Sequence, residues 1–134
     1  EIFFKDRALH LNRIIYTPLC NGVYVLCDRY KHSTFAYQQA QGVKLEELLI
    51  MHNGILIPDL TFYLDITPKI SIERKSMRKE KPSDVFEKLK FLREVRNNYL
   101  NLIKTLKENI VTIDASKTAD EVFSDIKVHL DLLL

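Results

Sequence analysis

Apolar residues along the chain fall into two kinds of pattern, separated by Gly, Pro and Asn. Ile2, Phe3, Leu9, Ile14 and Ile15 recur with charges between them and predict an amphipathic helix from Glu1 to Tyr16. Pro18 is expected to break it, and Asn21-Gly22 marks a turn. Val23 to Cys27 is a continuous apolar, mostly β-favouring run, the pattern of a strand covered on both faces. After a polar loop, Ser33 to Gln41 predicts a helix stopped by Gly42; Lys44 to Met51 predicts a second, and Asn53-Gly54 a turn. Leu60 to Ile66 repeats the buried-strand pattern. Thr67-Pro68 reads as the N-cap and first turn of a helix that runs through Arg74 into a basic stretch, interrupted by Pro82. Phe86, Leu89, Leu92, Val95, Tyr99, Leu102, Ile103 and Leu106, at three- and four-residue spacing, predict a long helix ended by Asn109. Ile110 to Ile113 is a third strand, and Asp114-Ala115-Ser116-Lys117 turns into a last helix, Thr118 to Leu134. Strands alternating with helices predict an α/β layered fold with a mainly parallel sheet, whose ligands bind at the carboxyl ends of strands. Asp28-Arg29-Tyr30 and Asp114-Ala115-Ser116 fall there.

Composition narrows this picture. The 134 residues, 46% hydrophobic and 28% charged, are the size and make-up of one globular domain, which excludes disorder. No apolar run approaches the ~20 residues of a membrane helix, and no charged-then-apolar leader opens the chain. Only Gly22, Gly42 and Gly54 are present, never close together, so these residues contain no Gly-rich phosphate loop. Cys20 and Cys27 have no metal or redox spacing; reduced thiols and a cytoplasmic location are expected, with Cys27 a small buried hydrophobe. The net charge of +2 hides an uneven distribution: Lys69 to Arg96 holds ten Lys and Arg against five Asp and Glu. That basic stretch is short and lacks interleaved aromatics, which argues against nucleic acid.

An Asp-Arg-Tyr just past a buried strand sets a carboxylate and a guanidinium in a cleft. Arg suits bidentate phosphate binding, and Asp suits a metal's water shell or a substrate hydroxyl. Ser33, Thr34, Tyr37 and Gln38 follow at helical spacing and put hydroxyls, a ring and an amide on one face. Phe3 and Arg7, four residues apart, share a helix face, where a ring could stack on a base and an Arg could donate to its carbonyl oxygen. A structural Asp–Arg pair, a core Phe3 and a solvated Arg7 are the bland alternatives.

Asp28-Arg29-Tyr30-Lys31-His32-Ser33-Thr34-Phe35-Ala36-Tyr37-Gln38 resembles the Asp-Arg-Tyr…Ser-Thr-x-Ala-Tyr-Gln signature of the thymidylate kinases. Phe3…Asp6-Arg7-Ala8…His10-Leu11 is similar to that family's thymine-binding helix, Pro58-Asp59-Leu60-Thr61-Phe62-Tyr63-Leu64-Asp65 to its Pro-Asp-Leu-Thr strand, and Asp114-Ala115-Ser116 to its adenine-side loop. The resemblance runs in order over essentially the whole chain. It implies a three-layer nucleoside monophosphate kinase-like fold with a mainly parallel sheet, in which ATP phosphorylates dTMP to dTDP with Mg²⁺. Phe3 would then stack on thymine, Arg7 would reach its O4, and Thr34 and Gln38 would contact the base edge. Tyr37 would lie against the deoxyribose, with Tyr30 and Ser33 on the same dTMP side. Asp28 would act near the sugar hydroxyl and Mg²⁺, and Arg29 would clamp the phosphates. Arg74, Arg78, Lys79 and Lys81 would belong to a mobile lid near residues 74–87 and meet ATP, with Arg74 and Arg78 serving the transfer itself. Ser116 and Lys117 would border the adenine, and a homodimer is implied.

Two departures stand out. Many members close the lid with Asp-Arg-Phe-Glu, where this chain has Asp84-Val85-Phe86-Glu87. The family's opening strand, Gly-rich loop and helix have no counterpart in these residues. The chain therefore reads as the C-terminal portion of one such domain, inactive by itself and lacking the N-terminal phosphate-loop part. A deoxynucleoside kinase and a non-catalytic, kinase-derived binding or dimerisation module are the rival readings.

Overall fold

The structure, a computed structural model, describes residues 11–75 and 82–133. The chain forms two compact units, Glu1–Ile57 and Pro58–Leu134.

In the first unit a π-helical turn, Leu11–Ile15, leads into α1, Tyr16–Cys20. Leu11 and Ile15 are buried while Ile14 is exposed, the stripe expected of an amphipathic segment. Pro18 lies inside α1 instead of breaking the helix. It occupies the first α-turn, where a missing N–H needs no partner, and the wider π spacing before it relieves the ring's clash with the preceding turn. The Asn21 and Gly22 amides then close the helix on the Pro18 and Leu19 carbonyls. Residues 23–27 run on without forming the predicted strand. A strand exists through its ladder, and among the described residues the only sheet holds two other strands, paired with each other. Without that cover Tyr24 and Leu26 are 82% and 99% exposed, and Cys27 is exposed too. Helix α2, Lys31–Ala40, and α3, Leu45–Met51, follow at the predicted places. Gly42 and Gly54 take the left-handed turns after each, with φ of 95° and 77°. Phe35, Ala36 and Leu48 are fully buried, and the Phe35 ring meets His52 edge-on with centroids 4.9 Å apart. His52 is fixed in turn by Nδ1 donating to the Leu48 carbonyl at 2.8 Å.

The second unit is a strand–helix–helix–strand–helix run. Strands β1, Thr61–Asp65, and β2, Ile110–Asp114, pair in parallel, with Thr61 opposite Ile110 and Asp65 opposite Asp114. The crossover between them is α4, Pro68–Lys75, and the long α5, Pro82–Thr105, which pack on each other. Pro68 at the first position of α4 is the signature of a helix start. Helix α6, Ala119–Asp131, packs on β2 and begins with a capping box: Thr118 accepts from the Glu121 amide, and Glu121 accepts from the Thr118 amide at 2.9 Å. Alternation along β1 sends Tyr63 and Asp65 to α5 and Phe62 to α6. Tyr63 stacks on Tyr99 at 4.8 Å, and Phe62 meets His129 edge-on at 6.3 Å. Helices therefore contact both faces of the parallel pair, in keeping with the α/β class the sequence predicts. Among the described residues the sheet has two strands instead of three, and β1 is half-buried over most of its length.

Candidate functional site

The first unit builds one cluster. Past the extended segment 23–27 the chain turns sharply at Asp28-Arg29-Tyr30 into α2. Arg29 has φ of 63°, the only left-handed residue other than glycine among those described. That backbone turns its side chain back along α2: Nη2 donates to the Tyr37 hydroxyl at 3.0 Å, and the guanidinium carbon lies 5.0 Å from the ring centroid. Tyr30 anchors the turn, its hydroxyl donating to the Leu56 carbonyl at 3.0 Å, while the Ser33 amide bonds the Tyr30 carbonyl. Cys27 Sγ lies 3.5 Å from the Arg29 carbonyl. Ser33, Thr34, Tyr37 and Gln38 are all half-buried on α2, whereas Phe35 and Ala36 turn into the core. Of the predicted substrate-side residues, the structure gathers Arg29 and Tyr37 on α2's polar face. It sends the Tyr30 hydroxyl to a backbone carbonyl instead. Phe3 and Arg7 lie outside the described residues.

Asp28 stands exposed beside the Arg29 turn. One carboxylate next to a guanidinium fits Mg²⁺, which keeps several waters and is commonly held by one or two carboxylates together with substrate phosphates. No group of three or more His, Cys, Asp or Glu side chains is assembled for a metal among the described residues.

The second unit builds another cluster at the carboxyl ends of β1 and β2. Asp65 receives Nε and Nη2 of Arg96, both at 2.7 Å, in a two-pronged pair, and Tyr63 donates to the same carboxylate at 3.2 Å. The Arg96 hydrogen bond holds the Asp65 carboxyl below the usual carboxylate range, against the opposing effect of burial. Burial first, and then the Asp65 charge, push the Tyr63 phenol upward. Beyond β2, Asp114 accepts from the Ser116 amide at 2.9 Å and its hydroxyl at 2.6 Å, which also lowers its pKa. Arg74 of α4 crosses to the same loop and donates to the carbonyls of Ala115 at 2.8 Å, Ser116 at 2.9 Å and Lys117 at 3.3 Å. Lys117 pairs with Asp125 at 2.7 Å. The loop borders an open depression of about 340 Å³, lined by Thr112, Asp114, Lys117, Asp125 and His129 among others. Arg74, Ser116 and Lys117, predicted to face ATP, thus meet at one loop, Arg74 reaching it from α4. Arg78, Lys79 and Lys81 lie outside the described residues.

Sequence reasoning missed Asp65, Arg96, Tyr63 and Tyr99. Asp65 had a signal, a lone charge closing a buried-type strand pattern; Arg96 had none, being one of several charges along α5. Because Asp65 is held ionised in the fold, its contribution to stability is present above the ordinary carboxylate range, near pH 3.9. It is lost as pH falls through that range toward the lower folded value. Urea unfolding should therefore show a falling midpoint below about pH 4, and Asp65→Asn should flatten that fall.

The second unit is a parallel α/β unit with polar loops at the carboxyl ends of its strands, where open α/β folds bind their ligands, and the first is a helical unit that carries an Asp-Arg turn. The chain belongs to the thymidylate kinase family: the sequence profile described as "Thymidylate kinase" matches residues 1–126. It is 42% identical to a probable thymidylate kinase of Staphylothermus marinus over 98% of this chain and 65% of that protein. It is 40% identical to the thymidylate kinase of Onion yellows phytoplasma over 96% and 65%, and 38% identical to that of a Geobacillus species over 92% and 61%. The chain thus spans less than two thirds of the length of these relatives. Among the described residues no helix is long and apolar enough to cross a membrane.

Proposed function

We propose that this chain carries the dTMP side and the ATP-base side of a thymidylate kinase, which transfers the γ-phosphate of ATP to dTMP. An oxygen of the dTMP phosphate bonds to the γ-phosphorus as the bond to the ADP oxygen breaks, giving dTDP and ADP. The observation that carries this reading is the Arg29 turn, which brings a guanidinium back over the polar face of α2 at Tyr37. Such transfer is mostly positioning and charge neutralisation, the work a fixed guanidinium does. Arg29 grips the dTMP phosphate, Thr34 and Gln38 face the base edge, and Tyr37 faces the sugar, with Tyr30 and Ser33 shaping the same side. Phe3 stacks on the thymine and Arg7 reaches its O4. Asp28 would hold Mg²⁺, directly or through water, and the ion would supply neutralisation of phosphate charge.

On the ATP side, Ser116 and Lys117 border the base. Arg74, whose hydrogen bonds to their loop support this placement, works with Arg78, Lys79 and Lys81 of the lid around residues 74–87. The phosphate loop belongs to a segment preceding these residues in a single domain. The three glycines support this, since each is used in a separate left-handed turn. The complete enzyme acts in the cytoplasm as a homodimer, without nucleic acid or membrane.

Coupled detection of ADP release tests the proposal. The complete polypeptide should turn over with dTMP and not with thymidine, and the 134-residue chain should show no turnover. Phosphorylation of thymidine alone would make it a deoxynucleoside kinase, and tight nucleotide binding without turnover would make it a binding module.

A further inference from the structure

We propose that Tyr37 is a positioning residue for Arg29: its hydroxyl and ring fix the guanidinium where a substrate phosphate will meet it. The proposal rests on the thymidylate kinase reading above and deepens it, since that reading gives Tyr37 a role toward the sugar only.

The observations come from both ends of the arginine. At its backbone, Arg29 adopts a left-handed conformation, which costs free energy for a residue with a β-carbon and persists only where neighbours hold it. The neighbours are present. The Tyr30 hydroxyl ties the turn to the Leu56 carbonyl, and the Ser33 amide closes on the Tyr30 carbonyl as α2 begins. At its tip, the guanidinium has an anchor eight residues further on: Nη2 donates to the Tyr37 hydroxyl at 3.0 Å, and the cation lies over the ring at 5.0 Å.

An exposed Arg otherwise samples many rotamers and loses them on gripping an anion. Two contacts of different kinds on one ring restrict it beforehand. The arrangement is compatible with function, because a guanidinium has five N–H donors in a fork. One hydrogen bond to Tyr37 leaves a two-pronged edge for phosphate. The sugar-facing ring and the phosphate-gripping cation then form one preorganised unit. A substrate that seats its sugar against Tyr37 meets an arginine already aimed at its phosphate.

Calorimetric titration of the complete polypeptide with dTMP, thymidine and ribothymidine 5′-monophosphate separates this role from others. Tyr37→Phe keeps the ring and removes the hydroxyl. It should weaken dTMP about fivefold, the net worth of one ordinary hydrogen bond at an exposed site, and leave thymidine within about twofold. Tyr37→Leu, which also removes the ring, should widen the loss for dTMP beyond about tenfold. In an Arg29→Ala background, Tyr37→Phe should no longer change the ratio of dTMP to thymidine affinity. Equal weakening of dTMP and thymidine would show a merely structural role and overturn the proposal. A change confined to the ratio of dTMP to the ribonucleotide would overturn it in favour of sugar selection alone. Wild-type protein that binds neither dTMP nor thymidine would overturn the thymidylate kinase reading itself. A wild type that binds dTMP, with the phosphate preference unchanged in Tyr37→Phe, would overturn the positioning role only.

Discussion

Arg29→Ala in the complete enzyme should lower turnover with dTMP about 10²–10³-fold, the usual cost of deleting one preorganised group that stabilises developing charge. The argument starts from the backbone. A chain that holds an arginine at φ of 63° keeps a strained turn, and the side chain it directs is fixed on Tyr37 and not released to solvent. In phosphoryl transfer the charge spread over the phosphate oxygens is met by such fixed cations. Arg29→Lys should recover little of the loss, because an ammonium lacks the planar fork and cannot keep one donor on Tyr37 while offering two to phosphate. Thymidine affinity, which uses no phosphate contact, should stay near wild type. Steady-state kinetics together with thermal melting checks this. Arg29 is exposed and lies outside the buried core, so the melting temperature should hold while turnover falls. An Arg29→Ala enzyme with more than about a third of wild-type turnover would contradict the assignment, since so small a loss is under 1 kcal/mol.

The sequence made the local rules of this fold legible. Thr118 with Glu121 announces the last helix, Pro68 sits where α4 begins, and Gly42 and Gly54 close α2 and α3. Val23 to Cys27 shows where such rules stop. The run satisfies every composition test for a strand, yet a strand is a property of two backbones, and its partner cannot be read from its own residues. Pro18 fails for a related reason: its effect depends on whether it falls in a helix interior or a first turn, and the π turn before it decides that. At the candidate site, Asp28, Arg29 and Tyr37 were legible from their order in the turn before α2 and along it. The left-handed turn that joins Arg29 to Tyr37 was not, because nothing in an Asp-Arg-Tyr tripeptide requires it. The Asp65–Arg96 pair lies 31 residues apart in sequence and forms only once β1 and α5 pack together. Asp65→Ala would leave Arg96 without its carboxylate and the Tyr63 hydroxyl without its acceptor, a loss of stability.

Phe35→Ala is the converse experiment and should cost about 3–5 kcal/mol of stability. The ring is 1% exposed, edge-on against His52, on the buried side of α2 with Lys31, His32 and Ala36. Removing it deletes both the transferred apolar area and the aromatic contact, and leaves a cavity beside Ala36 and Leu48, both fully buried. Against a typical total of about 5–15 kcal/mol, that loss is a large part of what holds α2 in place. Because the same helix presents Tyr37 to Arg29, activity should fall as well, but through the fraction of folded molecules. Urea unfolding should show a lower midpoint, and cooling the variant or adding saturating dTMP should restore activity by mass action. Arg29→Ala should respond to neither. Phe35→Leu, which refills most of the volume, should recover about half the stability or more. If Phe35→Ala unfolds at the wild-type midpoint yet loses turnover, the two faces of α2 are not separable as core and site, and the assignment of its polar face must be redrawn.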